Sequence, residues 1–562
     1  MRNSVLTCSL ISACLLTACG GGGGGGGASG GSGGAAKITV SNPTASSNVV
    51  AGTAVTFGGG ACGGGQGTLS ASWDFGDGSV KASSGTHTFT AAGTYSVSVT
   101  CTDSSSDPSV TSSATPVTVA AAPAISEGFL ARNWTPFAAI DSTNTQIYPI
   151  AGLDSNGTAY GLWLQNNSTT TSNVISGLLD TTSASTWTIG ASLPTGTANV
   201  AVNNSLFHTI QAPIDMAVSP NGNALAAWVA GGSLWYSMRG TLSGWSAPVQ
   251  TAISPSSPAL KVVYSDGGIG AIAYCNSSGA QVAVFSSSTG LSSTSQGVSN
   301  KCSAVLGTSS NTQITYGFDL AINPTTSAVT AVGLMPSPTT SANSVVQEIT
   351  YTTLGGWGTP FAVSSDLPTA SFPSFSVSLS VSPSGSYSAV AWSNLNATGS
   401  NNVFARVLHG GTVGDSIQVQ PNNSLVFFLP LIAINDAGNA FLVMANQSSS
   451  GGYDPYATTY SEAAGWKTAP LLMNSLSGFG AIDVAIDQYG NGLATYNDAN
   501  LDLQAYTLSA DGTKAASVLI TQLGYGDFHY QRLRALPDGR AILTASNKAD
   551  TGYAPSGFAV LK

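Results

Sequence analysis

One short turn pattern recurs from about residue 129 to the C-terminus and limits the possible folds more than any other feature. It consists of Ser, Asp or Asn, two further residues and Gly, and it separates two segments that alternate apolar and polar residues as strands do. The fourth copy is degenerate, with Thr326 in place of Gly, and Leu536-Pro537-Asp538-Gly539 opens the last copy. The copies lie at 154–157, 219–222, 265–268, 323–326, 382–385, 435–438, 487–490 and 536–539.

Eight units with a spacing of about fifty residues fall in the range of a four-stranded propeller blade. An ordinary stretch of this length would split into domains, whereas a repeat array closes around one axis. The sequence therefore predicts an all-β chain in which residues 129–562 form a β-propeller of eight four-stranded blades. Seven blades are the nearest alternative count. A β-solenoid is the main structural rival, although its repeats are usually shorter.

A second motif, Gly-Trp followed by Pro, indicates how the repeat array closes. It occurs around Trp245, Trp357 and Trp466, and an orphan copy around Trp134 precedes the first repeat. The last repeat supplies three strands and ends before such a segment. The Trp134 segment is therefore expected to complete the last blade and to remove its exposed edge. These Trp side chains pack between blades in one interpretation and stack on sugars in the other.

The N-terminus indicates export. An apolar stretch, Val5 to Leu15, precedes Leu16-Thr17-Ala18-Cys19-Gly20 and is too short to span a bilayer. This segment resembles the lipobox of bacterial lipoproteins. The resemblance implies that residues 1–19 are a signal peptide ending at a lipidated Cys19, and that Gly20 directs the protein to the outer membrane. An ordinary secretory leader is the alternative. Residues 20–36, rich in Gly, are predicted to be a flexible tether.

Four cysteines remain after the leader and Cys19: Cys62, Cys101, Cys275 and Cys302. An even number in an oxidising compartment predicts two disulfides, and proximity in the sequence and in the predicted fold favours Cys62–Cys101 and Cys275–Cys302. Zinc binding is the competing interpretation. The sequence contains no Cys-x-x-Cys spacing, and its four His are scattered, so no metal site is predicted.

Residues 37–120 read as one small β-sandwich. Trp73-Asp74-Phe75-Gly76-Asp77-Gly78-Ser79, then His87-Thr88-Phe89, then the alternating segment 93–100 and Asp103 resemble a PKD domain, an Ig-like fold, over nearly its whole length. The resemblance implies a non-catalytic spacer or binding module. Asp74 and Asp77 are either calcium ligands or turn-forming residues, and the turn role is preferred. Residues 121–128 are predicted to be a linker.

Composition excludes some partners. Only 7% of the residues are charged, the net charge is −10 and the pI is about 4.6, so no basic stripe is available for nucleic acid. The mean hydropathy of +0.19 does not indicate a membrane span. The longest apolar run after the leader, Leu425 to Ile434, is too short and contains Pro430.

Candidate binding residues come from the position seven residues before each turn glycine, on the strand expected to face the central channel. The eight positions hold Ile150, Asp215, Lys261, Asp319, Ser378, Leu431, Asp483 and Arg532. Three acids and two bases at equivalent positions are more than a sparsely charged chain would place there by chance. They suggest a polar ring of Asp215, Lys261, Asp319, Asp483 and Arg532. The alternative is that these Asp side chains form hydrogen bonds between blades.

Catalysis has weaker support. Sialidases use a cluster of Arg, a Tyr/Glu pair and repeated Asp boxes, whereas this chain has few Arg, few Glu and no complete Asp box. No His lies near a nucleophile motif. No catalytic residue and no cofactor is predicted. We therefore expect a surface or periplasmic lipoprotein that acts as a non-catalytic binding or adhesion platform for protein or glycan. A polysaccharide-active enzyme, sialidase-like or otherwise glycan-cleaving, is the alternative, since two Asp carboxylates would suffice for glycosidase chemistry.

Overall fold

The chain divides into two compact units, Met1–Ala124 and Ile125–Lys562. The predicted signal peptide, Cys19 and the tether lie outside the residues that the computed structural model describes. The described residues are 37–44, 49–50, 54–89, 92–105, 107–120, 128–140, 146–168, 171–181, 186–193, 212–241, 243–257, 259–306, 313–337, 343–365, 367–368, 376–395, 401–410, 412–413, 417–419, 426–447, 453–467, 470–473, 483–498, 502–513, 515–521, 528–549, 552–553 and 556–562.

The first unit consists of strands around one apolar core. A five-stranded sheet contains Val49–Val50, Thr115–Ala120, Gly93–Asp103, Leu69–Asp74 and Val110–Thr111. Two short strand pairs, Thr39–Val40 with Cys62–Gly63 and Ala54–Thr56 with Thr86–Thr88, lie beside it. The core contains Trp73, Phe75 and Phe89, each at most 5% exposed. The aromatic residues of the PKD-like motif therefore fill the sandwich as the sequence predicts.

Both predicted disulfides are confirmed. Cys62–Cys101 joins the strand Cys62–Gly63 to the five-stranded sheet, with the two Cα atoms 5.7 Å apart. Cys275–Cys302 has the same Cα separation and joins a strand of the second unit to the start of the hairpin Ser303–Leu306 and Gln313–Tyr316. Each bridge thus links segments that are separate in the sheet pairing.

The described residues of the second unit form eight larger sheets besides that hairpin, numbered here by the order of their inner strands. Sheet 1 is Gln146–Leu153, Thr158–Ser168, Thr171–Asp180 and Thr188–Leu193; sheet 2 is Ile214–Val218, Ala224–Ala230, Ser233–Gly240 and Gly244–Trp245, with Val249–Gln250; sheet 3 is Leu260–Tyr264, Ile269–Asn276, Gly279–Ser286 and Gly290–Ser299; sheet 4 is Phe318–Ile322, Val329–Pro336, Asn343–Thr352 and Gly356–Trp357, with Phe361–Ala362 and Leu367–Pro368. Sheet 5 is Ser376–Val381, Tyr387–Leu395, Asn401–His409 and Thr412–Val413, with Ile417–Gln418; sheet 6 is Val426–Ile434, Ala440–Gln447, Tyr453–Ser461 and Gly465–Trp466, with Leu471–Leu472; sheet 7 is Asp483–Ile486, Gly492–Asn497, Leu503–Leu508 and Ala515–Thr521; sheet 8 is Phe528–Ala535, Ala541–Ala549, Gly557–Leu561 and Ala138–Ala139, with Gly552–Tyr553.

Consecutive sheets pack face to face. The first-named strand of each sheet, its inner strand, contacts the inner strand of the next sheet, and that of sheet 8 contacts that of sheet 1. In the described part of this unit, each of eight apolar clusters combines residues of two consecutive sheets. Between sheets 8 and 1, for example, Ile542 and Phe558 pack with Trp163 and Trp187. We interpret the eight sheets as the predicted blades, each covering one apolar face of the next.

The segment before sheet 1 pairs with the end of the chain. Ala138 lies opposite Phe558 and Ala139 opposite Gly557, and Trp134 forms a bridge to Leu561. A single turn of 3₁₀-helix, Gly128–Ala131, precedes this strand. The orphan Trp134 segment thus supplies the outer strand of sheet 8, and the edge of Gly557–Leu561 is covered.

The recurring turn has a local cause. Asp154 Oδ1 accepts hydrogen bonds from the backbone N–H groups of Asn156 and Thr158, at 2.9 and 2.8 Å, as an Asx turn does. The glycine that ends the turn has a positive φ, 79° at Gly222. In the degenerate copy, Ser327 takes this conformation instead, with a φ of 61°.

No helix in the described ranges has the length and apolar character that a membrane span requires.

The pairing of the two chain ends can be tested with Phe137→Ala. The Phe137 ring lies against Gly557, where an added Cβ would come within 2.3 Å of it. Because Phe137 is half-buried, we expect its truncation to lower the free energy of unfolding by about 2 kcal/mol in urea denaturation followed by circular dichroism. Leu354→Ala is the control, because Leu354 is fully exposed at a hairpin tip. Equal denaturation midpoints for the two variants would show that the pairing does not stabilise the fold.

Candidate functional site

The eight residues chosen from the sequence all lie on inner strands. The side chains of some of them form hydrogen bonds between consecutive sheets. Four of the side chains accept a hydrogen bond from the backbone N–H of the next inner strand. Each donor is the residue directly after the corresponding position of the next sheet. The four bonds run from Val262 to Asp215 at 2.7 Å, from Leu379 to Asp319 at 2.9 Å, from Ile432 to Ser378 at 3.2 Å and from Leu533 to Asp483 at 2.9 Å.

Inter-sheet hydrogen bonding therefore explains why acids recur at this level. Asp319 Oδ1 also accepts from the N–H of Leu320, and Asp483 Oδ1 accepts from the N–H of Val484. Both oxygens of these two carboxylates are thus held by protein donors. These backbone hydrogen bonds give both acids a structural role.

Basic side chains on the inner strands form ion pairs with two of these acids. Lys261 Nζ lies 2.5 Å from Asp319 Oδ1, with 27% of the lysine side chain exposed. Arg534 Nη1 lies 3.5 Å from Asp483 Oδ2, and 41% of its side chain is exposed. Arg534 was not among the predicted residues. It lies two residues after Arg532 and therefore on the same side of the strand, so the alternation Arg532-Leu533-Arg534 was the signal that could have identified it.

A cavity of about 350 Å³, here called the channel cavity, opens among the inner strands. Asp215, Lys261, Asp483 and Arg532 line it together with Arg534, whereas Asp319 does not line it and reaches it only through its ion pair with Lys261. Five of its seventeen lining residues are charged, although charged residues make up 7% of the chain. The structure thus gathers four of the five predicted residues at one cavity.

Asp215 differs from the other two acids. Its side chain is 5% exposed, and Oδ2 holds the bond from Val262. Oδ1 is buried and has no hydrogen-bond partner. A buried carboxylate oxygen without a donor is costly, and Asp215 is the one of the three acids that carries such an oxygen at the channel cavity.

The Trp residues of the Gly-Trp motif pack between sheets. Trp245, Trp357, Trp466 and Trp134 each pack against the apolar cluster between their own sheet and the preceding one. The rings of Tyr351 and Trp357 lie 5.5 Å apart, edge to face. The structure therefore supports the packing interpretation over stacking on sugars.

The two acids of the PKD-like motif, Asp74 and Asp77, have local hydrogen-bond partners. Asp74 Oδ1 accepts from the N–H of Gly76, and Asp77 Oδ1 accepts from the N–H of Ser79. Burial raises the pKa of Asp77, but hydrogen bonds from Ser79 and His87 outweigh it and bring the pKa to about 2. Both acids form turns. In the described part of the chain, no group of three or more His, Cys, Asp or Glu side chains is arranged to hold a metal ion.

A second cavity, of about 280 Å³, lies between sheets 4 and 5 and is called here the Glu348 pocket. Glu348 is 5% exposed, and its Oε2 accepts a hydrogen bond from Ser388 Oγ at 3.4 Å. Burial raises the pKa of Glu348 to about 7. Sequence reasoning missed this residue, because the search followed inner strands only and Glu348 lies on the third strand of its sheet.

A polar cluster near this pocket belongs to the next interface. The Tyr387 hydroxyl donates to Glu462 Oε2 at 2.8 Å, and His409 Nδ1 lies 3.0 Å from Glu462 Oε1. The hydrogen bond from Tyr387 lowers the pKa of Glu462 and raises that of Tyr387 itself. The Tyr387 ring also packs against Gly438 in the turn of sheet 6. These side chains therefore connect sheets 5 and 6, and of the three only Tyr387 is among the described residues that line the Glu348 pocket.

The buried carboxyl of Glu348 makes stability depend on pH. Its pKa rises from 4.5 to about 7 on folding, so the folded chain binds more protons between these values and the free energy of unfolding falls as pH rises through them. Glu348→Gln removes this loss, and we expect it to stabilise the protein at pH 8 by about 3 kcal/mol and to have little effect at pH 4. Urea denaturation at the two pH values measures the difference. Glu462→Gln, at an exposed carboxylate, is the control and should bring no gain at pH 8. A gain for Glu348→Gln that is the same at both pH values would contradict the raised pKa.

Residues 39–119 match the family model of the PKD domain. Among solved structures, the chain is similar to the BP39L lectin from Burkholderia pseudomallei, at 13% identity and a TM-score of 0.42, over 67% of this chain and 99% of the lectin. It is also similar to the polysaccharide lyase Uly1, at 9% identity and a TM-score of 0.41, over 66% and 93%. The β-propeller domain of the Trilobed protease from Pyrococcus furiosus shows 7% identity and a TM-score of 0.37, over 67% and 99%.

A comparison with curated proteins finds no match. The family match and the sheet order confirm an all-β chain with a PKD domain followed by a propeller-type repeat domain.

Proposed function

We propose that the chain is an outer-membrane lipoprotein whose propeller binds a glycan, without cleaving it, at the channel cavity. The observation that carries this proposal is the lining of that cavity. Asp215 Oδ1 is an acceptor without a partner, while Arg534 and Lys261 present donors that are partly exposed. A saccharide with hydroxyl groups and an acidic substituent matches this pairing of acceptor and donors.

The state of the acids favours binding over cleavage. Asp319 and Asp483 accept backbone hydrogen bonds on both oxygens, and Asp215 accepts one on Oδ2. A general acid or base must exchange a proton with its substrate, which carboxylates committed to backbone donors do poorly. These side chains can hold a ligand without contributing chemistry.

Polysaccharide cleavage is the second candidate, and Glu348 is the observation that favours it. A carboxyl with a pKa near 7 is suited to general acid catalysis. A glycosidase of the usual kind needs a second carboxyl about 5 to 9.5 Å away. Of the described residues that line the Glu348 pocket, Glu348 is the only one with a carboxyl side chain. The geometry therefore supports binding better.

Two features support an exported, surface-exposed protein. Disulfides form and persist in oxidising compartments, and the chain has two. The PKD domain, at residues 39–119, is typical of such proteins by the resemblance described above. The anchor at Cys19 and the outer membrane as its location are part of the proposal, and they rest on the lipobox-like segment.

Binding can be tested with the soluble chain from Lys37 onward on an array of neutral and acidic glycans and of proteins. We expect binding to an acidic glycan, and we expect Arg534→Ala to weaken it about tenfold, the effect of losing one charged hydrogen bond. Lys467→Ala, at an exposed lysine of sheet 6, is the matched control and should bind as the unaltered chain does.

Two results would contradict this proposal. Binding to proteins alone would replace the glycan with a protein partner. Release of product from any bound glycan, assayed as new reducing ends or unsaturated sugars, would show that the protein is an enzyme.

The anchor can be tested with Cys19→Ala in the full-length chain expressed in a Gram-negative host. Without the thiol that would carry the lipid, we expect the protein to move from the membrane fraction to the soluble fraction, since the described residues contain no helix able to span a membrane. Immunoblots of the separated fractions measure this change. A variant that remains with the membrane would exclude lipidation of Cys19 as the anchor.

A further inference from the structure

We propose that the Glu348 pocket is a second ligand site, that it takes one uncharged sugar residue, and that Glu348 donates a hydrogen bond to this sugar. The site goes beyond the proposed function, because it lies between two sheets and shares no lining residue with the channel cavity. Its volume of about 280 Å³ is near the lower end of ligand pockets, which suits a single sugar ring.

The walls carry hydroxyl groups on both sides. Thr330 and Thr350 lie on sheet 4, with their Oγ1 atoms 3.2 Å apart. Ser388 lies on sheet 5, and Ser386 lies in the turn just before its second strand. Ser388 Oγ reaches across to Glu348 Oε2, so the two walls meet at the carboxyl. Hydroxyl groups both donate and accept, which matches the alternating hydrogen-bonding needs of a sugar ring.

The pocket also offers apolar surface and lacks cations. Phe361, half-buried, lies opposite Glu348 in the strand pairing, and the buried Leu408 lines the pocket from sheet 5. Apolar side chains with a few placed polar groups are typical of small-molecule sites. None of the described residues that line it is Lys or Arg. An anionic ligand would therefore meet Glu348 without a compensating charge, which is why an uncharged sugar is proposed.

Strand register shows that the fold does not need a carboxyl here. When the eight sheets are aligned by the register of their second and third strands, one residue in each of the other seven sheets is equivalent to Glu348. None of those residues is acidic, and three are Ala, so the apolar interface forms without an acid. The seven residues are Ser176, Tyr236, Val282, Ala405, Ala457, Ala505 and Phe558.

The protonation state sets when the site can act. With its pKa raised to about 7 by burial, Glu348 is mostly protonated at pH 6 and mostly charged at pH 8. Among the described residues that line the pocket, Tyr387 is the one other titratable residue, and its hydroxyl donates to Glu462, which also pairs with His409. Of the groups on the adjoining strands, Thr330, Thr350, Phe361, Ser388 and Leu408 do not titrate. The charged Arg406 lies two residues before Leu408 on the same strand and is not among the described residues that line the pocket. Sugar binding should therefore weaken as pH rises from 6 to 8.

The test uses the chain from Lys37 to Lys562, which contains both compact units, and saturation-transfer NMR with glucose, galactose, mannose and N-acetylglucosamine as probes. We expect transfer to at least one of these sugars at pH 6 and a several-fold weaker effect at pH 8. Glu348→Gln keeps a donor that does not titrate and should bind equally at both pH values. Glu348→Ala should lose the transfer, and it should still fold because Ala is native at the equivalent position in three sheets.

Two controls separate this site from the channel cavity. Glu462→Gln changes a nearby carboxylate outside the pocket, and Arg534→Ala changes the channel cavity, so both should leave sugar transfer and its pH dependence unaltered. Absence of transfer from all four sugars at pH 6, or transfer that persists in Glu348→Ala, would overturn the proposal. Loss of transfer in Arg534→Ala would assign the sugar to the channel cavity instead.

Discussion

The contact between consecutive sheets is the interaction on which the second unit depends. An isolated four-stranded sheet of this kind exposes two apolar faces, and it becomes stable only when both faces are covered by neighbours. The apolar clusters between sheets supply the burial, and side chains such as Asp215 and Ser378 add hydrogen bonds to the backbone of the next inner strand. The pairing of Ala138 with Phe558 likewise covers the edge of the last strand with a segment that precedes sheet 1.

This architecture also decides which polar groups remain for function. Asp319 and Asp483 on the inner strands are committed to the backbone on both oxygens, because one oxygen accepts from the next sheet and the other from the following residue of the same strand. What remains is small: one oxygen of Asp215, and the part of the Lys261 and Arg534 side chains that solvent reaches. A residue type that recurs at equivalent positions of a repeat protein is therefore better evidence for assembly than for a binding site.

The sequence predicted the features that local chemistry determines. The turn requires an Asx-type acceptor at residues such as Asp154 and a positive φ near its end. Because few residue types meet these needs, its copies can be recognised and counted in the sequence. The orphan Trp134 segment and the truncated last repeat predicted the pairing of the chain ends. Hydrogen bonding between blades was one of the two roles that the sequence suggested for the acids, but their donors could not be predicted. The donor to Asp215 is a backbone N–H 47 residues away whose position depends on how two sheets pack. Glu348 was missed for a similar reason, since only the register of paired strands shows that its counterparts are not acidic.

The energetics of Glu348 point in the same direction as its geometry. Holding a carboxylate in an apolar interface at neutral pH destabilises the folded state, which is why its pKa rises. At the equivalent positions, Ala405, Ala457 and Ala505 avoid this loss and still allow the sheets to pack. Residues that reduce stability without a structural role are concentrated at functional sites, because a group prepared for a ligand is not fully satisfied without it. Glu348, buried and opening into a pocket lined with hydroxyl groups, meets that description more closely than the acids of the channel cavity, whose backbone bonds already account for their presence.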